Sequence, residues 1–175
     1  GESPVHAGRD DDDARGLEVL AVGEQALQAR DAAVGAPPHF GSAAIAGPGM
    51  LYVSGGNDGR TFHAVTYVGA IDSQGLIAGW TAAAPLNAPR YLHGMTTDGH
   101  GGLSVIGGYG ELSITTSVET TPLQRGLPTG WSFATPLPQA RDFLVAVDGL
   151  GAIYSIGGQT VANGADVYRS ATSEP

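Results

Sequence analysis

Five histidines, His6, His39, His63, His93 and His100, are the first residues to weigh for metal chemistry. A zinc site needs imidazoles and carboxylates that converge on one point. No two of these histidines share the close spacing that a helix turn or one strand face would supply. The run Asp10-Asp11-Asp12-Asp13 offers the carboxylate oxygens that Ca²⁺ prefers. It lacks the spacing and the glycine of a calcium loop and reads as a solvated acidic segment. The chain contains no cysteine, which excludes a thiolate metal site and a disulfide framework. No Gly-x-Ser-x-Gly elbow is present to carry a hydrolase nucleophile. No catalytic residue, metal or cofactor is therefore expected.

Residues suited to binding are marked by their place in a pattern. Asn57, Asp58 and Arg60 follow the pair Gly55-Gly56. Tyr109 and Glu111 follow Gly107-Gly108, and Gln159 and Asn163 follow Gly157-Gly158. Arg90 and Arg141 each sit a few residues beyond a Pro-Leu pair. If a site exists, these loop residues are its candidates, because loops on a rigid scaffold are where binding groups concentrate. The structural reading beside this one is that the polar residues are solvated turns. In that reading the two arginines bond loop carbonyls between neighbouring units.

The elements that must position these residues follow from an internal repeat. The three glycine pairs are separated by 52 and then 50 residues. Trp80, Pro85, Leu86 and Arg90 recur as Trp131, Pro136, Leu137 and Arg141, at a step of 51. A period near 50 points to propeller blades. Short apolar runs between turn signals supply the strands. In the first full unit they are His39–Ile45, Met50–Ser54, His63–Ile71 and Leu76–Thr81. In the second they are Tyr91–Thr97, Leu103–Ile106, Ser113–Thr120 and Gly130–Ala134. The third offers Phe143–Val147, Ala152–Ile156 and a strand around Asp166–Ser170. Residues 17–38 overlay the third and fourth strands of a unit, although an amphipathic helix over 17–33 is the rival. The expected layout is an acidic lead-in at 1–16, a half blade at 17–38, blades at 39–90 and 91–141, and a half blade at 142–175.

At these residues the chain resembles the kelch-repeat β-propellers. Met50-Leu51-Tyr52-Val53-Ser54-Gly55-Gly56 and Ala152-Ile153-Tyr154-Ser155-Ile156-Gly157-Gly158 are similar to the family's second strand with its double glycine. Leu103-Ser104-Val105-Ile106-Gly107-Gly108 departs by lacking the tyrosine. Trp80 and Trp131 stand where the family places its fourth-strand tryptophan. The resemblance implies an all-β fold of four-stranded antiparallel blades, with glycines and tryptophans in structural roles. Copper chemistry of the galactose-oxidising relatives needs a cysteine-linked tyrosine, which this chain cannot form. Asp72-Ser73-Gln74-Gly75 before Trp80 is faintly similar to the Asp-box hairpin of sialidases, but a plain β-turn explains it. His39 and His93 fall near the starts of innermost strands in successive units, a coincidence the repeat itself imposes.

About three blades make a partial ring, whereas propellers usually carry four to eight. Another chain or a further segment is expected to complete it. The net charge of −9 argues against a nucleic-acid or anionic-membrane partner, and no apolar run is long enough to span a bilayer. All eight basic residues are arginine, a composition associated with GC-rich bacterial genomes. The leading functional reading is a non-catalytic propeller segment that recognises a protein or surface, its partner a protein or a second copy of itself. A carbohydrate-binding or enzymatic propeller with its site completed elsewhere is the second. A structural subunit of an extracellular or particle assembly, secreted or on a cell surface, is the third.

Overall fold

The computed structural model describes residues 41, 43–47, 49–75, 77–160 and 167–170. The expected acidic lead-in and first half blade, with His6, His39 and Asn163, lie outside these residues. The described residues are all-β, with three antiparallel sheets and no helix. The first sheet runs in the order β1 (Ala43–Gly47), β2 (Met50–Ser54), β3 (Thr66–Ile71), β4 (Ile77–Ala83). The second is built from β5 (Gly94–Thr97), β6 (Gly102–Ile106), β7 (Val118–Gln124), β8 (Leu127–Pro128) and β9 (Ser132–Ala134). The third holds β10 (Val145–Gly149), β11 (Ala152–Ile156) and β12 (Val167–Arg169).

Two strands, Met50–Ser54 and Ala152–Ile156, occur with the limits their apolar runs suggest. Others start late for one physical reason: their first residues spend their backbone groups on a neighbouring connection. His63 donates to Gly56 O at 2.9 Å and accepts from Arg90 N at 3.1 Å, and Ala64 O accepts from Leu86 N at 2.7 Å. β3 therefore begins at Thr66 rather than His63. The second sheet also departs from four simple strands. β7 turns back on itself through Arg125 (φ 52°) and Gly126 (φ 80°) to form β8 before β9 pairs with β7. Two left-handed central residues are the signature of a type I′ hairpin, whose twist suits flanking strands.

The sheets pack in sequence. Tyr52, Val68 and Leu86 of the first unit meet Met95, Leu103, Val105 and Trp131 of the second in one buried cluster. Ile106 and Leu137 of the second unit meet Leu144 and Ala146 of the third in another. The first strands of the three sheets neighbour one another, β1 with β5 and β5 with β10. A backbone link recurs just before each of the last two: Leu92 N–H donates to Gly41 O at 2.7 Å, and Phe143 N–H to Leu92 O at 2.8 Å. Gly41, Leu92 and Phe143 all hold left-handed backbone, with φ of 66°, 57° and 53°.

The double glycines are where consecutive units join. Gly56 N–H donates to Arg90 O, and Gly108 N–H to Arg141 O, each at 2.8 Å. Gly55 and Gly56 hold φ of 62° and 106°, and Gly107 and Gly108 hold 59° and 97°. A Cβ on Gly55 would collide with Arg90 O, and one on Gly107 would lie 2.5 Å from Arg141 O. Glycine is required here twice over, for the positive φ and for the close approach of a carbonyl.

The two tryptophans differ, although the repeat gives them equivalent positions. Trp131 is 7% exposed, wedged between the first and second sheets, and its Nε1–H donates to Ala84 O at 2.9 Å. Trp80 is only half-buried, and its Nε1 meets no hydrogen-bond acceptor among the described residues. It faces back from the first sheet, where no described sheet precedes it. Trp131→Ala is expected to cost about 3–5 kcal/mol, the range for a buried aromatic. Trp80→Ala should cost well under half as much. Urea unfolding of the two variants checks the difference, and equal losses would refute it.

Candidate functional site

The connections after β2 and β6, and the connections that lead into β5 and β10, gather into one loop cluster. Its framework is backbone: Asn57 bridges Phe62, Tyr91 bridges Tyr109, Tyr109 bridges Ile114, and Asp142 bridges Gln159. These pairings bring three aromatic rings together across two units. Phe62 stacks on Tyr91 with centroids 5.2 Å apart, and Tyr109 meets Tyr91 edge-on at 5.6 Å and Phe62 at 6.2 Å. All three rings are half-buried. Aromatic pairs at such separations add about 0.5–1.5 kcal/mol beyond the area they bury, so the cluster is a fixed platform.

Charged groups rim this platform. Asp58 caps its own turn, accepting from the N–H groups of Arg60 and Thr61 at 2.9 and 2.8 Å. These two backbone donors, Thr61 first, with His63 3.1 Å away, hold its carboxyl down at about 2. Arg60 and Glu111 are exposed, Gln159 is exposed, and Asn57 is half-buried. Beside Tyr109 lies an open cleft of about 290 Å³ lined by Pro89, Arg90, Glu111, Leu112 and Ser113 among others. That is the small end of the range for ligand sites.

Arg90 and Arg141, candidate ligand groups by sequence, are placed in the interior, 1% and 0% exposed. Arg90 instead closes the joint between the first and second units. Its backbone is held by Gly56 and His63 of the first unit. Its guanidinium donates to Gly107 O at 3.0 Å, Ser117 O at 3.2 Å and Glu119 Oε1 at 2.6 Å. Glu119 is fully buried, and its carboxylate also accepts from Asn87 N and Nδ2, at 2.7 and 3.0 Å, and from Ala88 N at 3.2 Å. Burial presses the guanidinium pKa down, and the Glu119 charge opposes this. Arg141 repeats the arrangement one unit on, donating to Gly157 O at 2.5 Å. Among the described residues it also meets the face of Tyr168, its guanidinium carbon 4.5 Å from the ring centroid. Tyr168 and Glu119 hold the same register position, opposite Ser155 and Val105.

Sequence reasoning missed the role of His93. It is buried, its Nε2 shares a 3.0 Å hydrogen bond with Ser54 Oγ, and its Nδ1 meets no partner among the described residues. Desolvation, with the Arg90 charge nearby, lowers its pKa to about 3. It is a neutral core imidazole. The platform residue Phe62 was also missed, because a single aromatic in a polar loop carries no periodic signal. No group of three or more metal-ligating side chains occurs among the described residues.

No family model matches the chain, and no curated protein matches it. Among solved structures the chain is similar to that of YjhT, at 16% sequence identity and a TM-score of 0.61. The likeness covers 74% of this chain and 42% of that one, so the chain spans less than half the length of this neighbour. At this identity the likeness concerns the fold alone.

Two predictions arise from the buried charges. Arg90→Ala leaves Glu119 uncompensated in the interior and should destabilise by about 3–5 kcal/mol in denaturant unfolding; a loss under 1 kcal/mol would refute the joint. His93 binds a proton on unfolding at any pH between about 3 and 6.5. The stability it contributes is therefore complete above pH 6.5. It is lost as pH falls toward 3, by up to about 1.4 kcal/mol per pH unit. Asp58, held below the usual carboxylate range, adds to this loss at the acid end, while Asp142, raised by burial, works the other way. Leucine stands at the equivalent place in the next unit as Leu144, and His93→Leu should flatten the slope between pH 6.5 and 4.5. An unchanged slope in urea midpoints would exclude His93 as its source.

Proposed function

We propose that the chain is a segment of a kelch-type β-propeller, its sheets successive blades, that recognises a protein surface and performs no catalysis. Support for the fold reading comes from the 51-residue step, the antiparallel order within each sheet and the neighbouring first strands. The observation that carries the functional reading is the platform of Phe62, Tyr91 and Tyr109, with Asp58, Arg60 and Glu111 exposed around it. Protein interfaces share this anatomy, an aromatic centre within a polar rim. The groups that a catalytic reading would recruit are engaged elsewhere. Arg90 and Arg141 join the units, and His93 is buried and neutral.

A random-peptide phage library panned on the immobilised chain tests the reading, alongside a glycan array. Selected peptides should bind with micromolar affinity and lose at least about tenfold with Tyr109→Ala. A tenfold loss is about 1.4 kcal/mol, above the roughly 1 kcal/mol that most interface residues stay under. Peptides indifferent to Tyr109→Ala would refute the platform. Binding to glycans alone would favour a carbohydrate-binding propeller.

A further inference from the structure

The large apolar residues exposed on the third sheet lie on the face that the other two sheets turn toward a following sheet and bury or half-bury. The face that each sheet turns toward its successor can be followed by register. In the first sheet it carries Tyr52, Ser54, Thr66 and Val68, which are 2%, 0%, 1% and 3% exposed because the second sheet lies on them. In the second sheet the matching positions include Thr96, Ser104 and Ile106, which are 1%, 0% and 2% exposed beneath the third sheet. On the third sheet this face carries Val145, Val147, Ile156 and Val167, which are 58%, 41%, 41% and 59% exposed. Four branched aliphatics on one sheet face are a patch that water does not favour.

The glycine seat tells the same story independently. Gly55 and Gly107 each lie against the carbonyl of the connection that leads into the following sheet. Gly157 keeps the same left-handed backbone, φ 65°, yet no described residue stands within 4 Å of where its Cβ would be. A left-handed glycine commonly marks a turn or a close backbone approach. The third sheet thus has both an apolar face and a carbonyl seat shaped for another unit of the same repeat.

The opposite end of the array presents the complementary surface. The face that the second sheet turns back to the first bears Leu103, Val105, Glu119 and Trp131, all 7% exposed or less. In the first sheet the same register positions hold Leu51, Val53, Tyr67 and Trp80, all only half-buried. Trp80 lacks an acceptor for its N–H where Trp131 has Ala84 O.

We propose that the forward face of the third sheet, at Val145, Val147, Ile156 and Val167, seats the first sheet of a second copy of this chain. That sheet docks through its Leu51, Val53 and Trp80 side. The contact continues the two sheet-to-sheet interfaces already present within the chain, with the same register, and Arg169 stands exposed on this face where the first sheet has Val68. It stands apart from the loop-face reading, since none of these residues belongs to the aromatic platform.

Sedimentation velocity on the 175-residue chain from about 1 to 100 μM tests the proposal. A concentration-dependent shift to a two-copy particle, twice the 17.7 kDa chain, is expected. Val147→Lys/Val167→Lys should weaken association at least about tenfold while leaving far-UV circular dichroism unchanged, because both side chains are exposed in the single chain. Ile156→Lys provides a second probe of the same face should the double variant fail to fold. A monodisperse monomer at 100 μM overturns the proposal, whether the face is then bare or covered by the chain's own residues 1–40. Association that neither variant weakens overturns it as well.

Discussion

The seating of a backbone carbonyl against a pair of glycines is the contact on which the arrangement of sheets rests. Arg90 O on Gly56 and Arg141 O on Gly108 fix how near each connection comes to the preceding loop. Everything downstream depends on that nearness. It brings the bridges Asn57–Phe62 and Tyr91–Tyr109 into one place, and so assembles aromatic rings from two different units. It also puts the arginine side chain within reach of the next unit's carbonyls. An alanine in either glycine would push the carbonyl away and unseat several contacts at once, which is a larger effect than lost conformational freedom alone.

The same joint is finished by two different chemistries. Between the first and second units the buried guanidinium meets a buried carboxylate whose other lone pairs are filled by Asn87 and Ala88. Such satisfaction is what makes a desolvated ion pair tolerable. Between the second and third units the guanidinium lies over an aromatic face, whose π electrons attract the cation. One backbone geometry accepts both, so the repeat is held by main-chain contacts and tuned by side chains.

Much of the fold was legible because strand, turn and glycine signals recur with one period. β2 and β11 were readable to the residue, since their apolar runs end at glycine pairs. β3 and β7 were not, because the residues before them look extended but give their backbone groups to another unit. Nothing local in the sequence records that. The β7–β8 hairpin was missed since Arg125-Gly126 lacks the Asn or Asp usual at such a turn. The depth of the polar loop residues was not readable. Arg90 looks like a surface cation until its partner Glu119, far along the chain, is seen to be buried with it. His93 and Phe62 likewise take their character from neighbours the sequence does not place.

The link through Gly41, Leu92 and Phe143 sets how the chain tolerates changes of length. It is made by main-chain groups alone, and three unlike side chains occupy it. Its spacing is 51 residues both times, although the glycine pairs on the same units are 52 and 50 apart. A residue gained in one half of a unit is thus offset in the other, and the register of the first strands is kept. Insertions belong at the turns far from that link, such as Asp72–Gly75 and Arg125–Gly126, where length can be absorbed without moving it. The repeat is metered from its first strands.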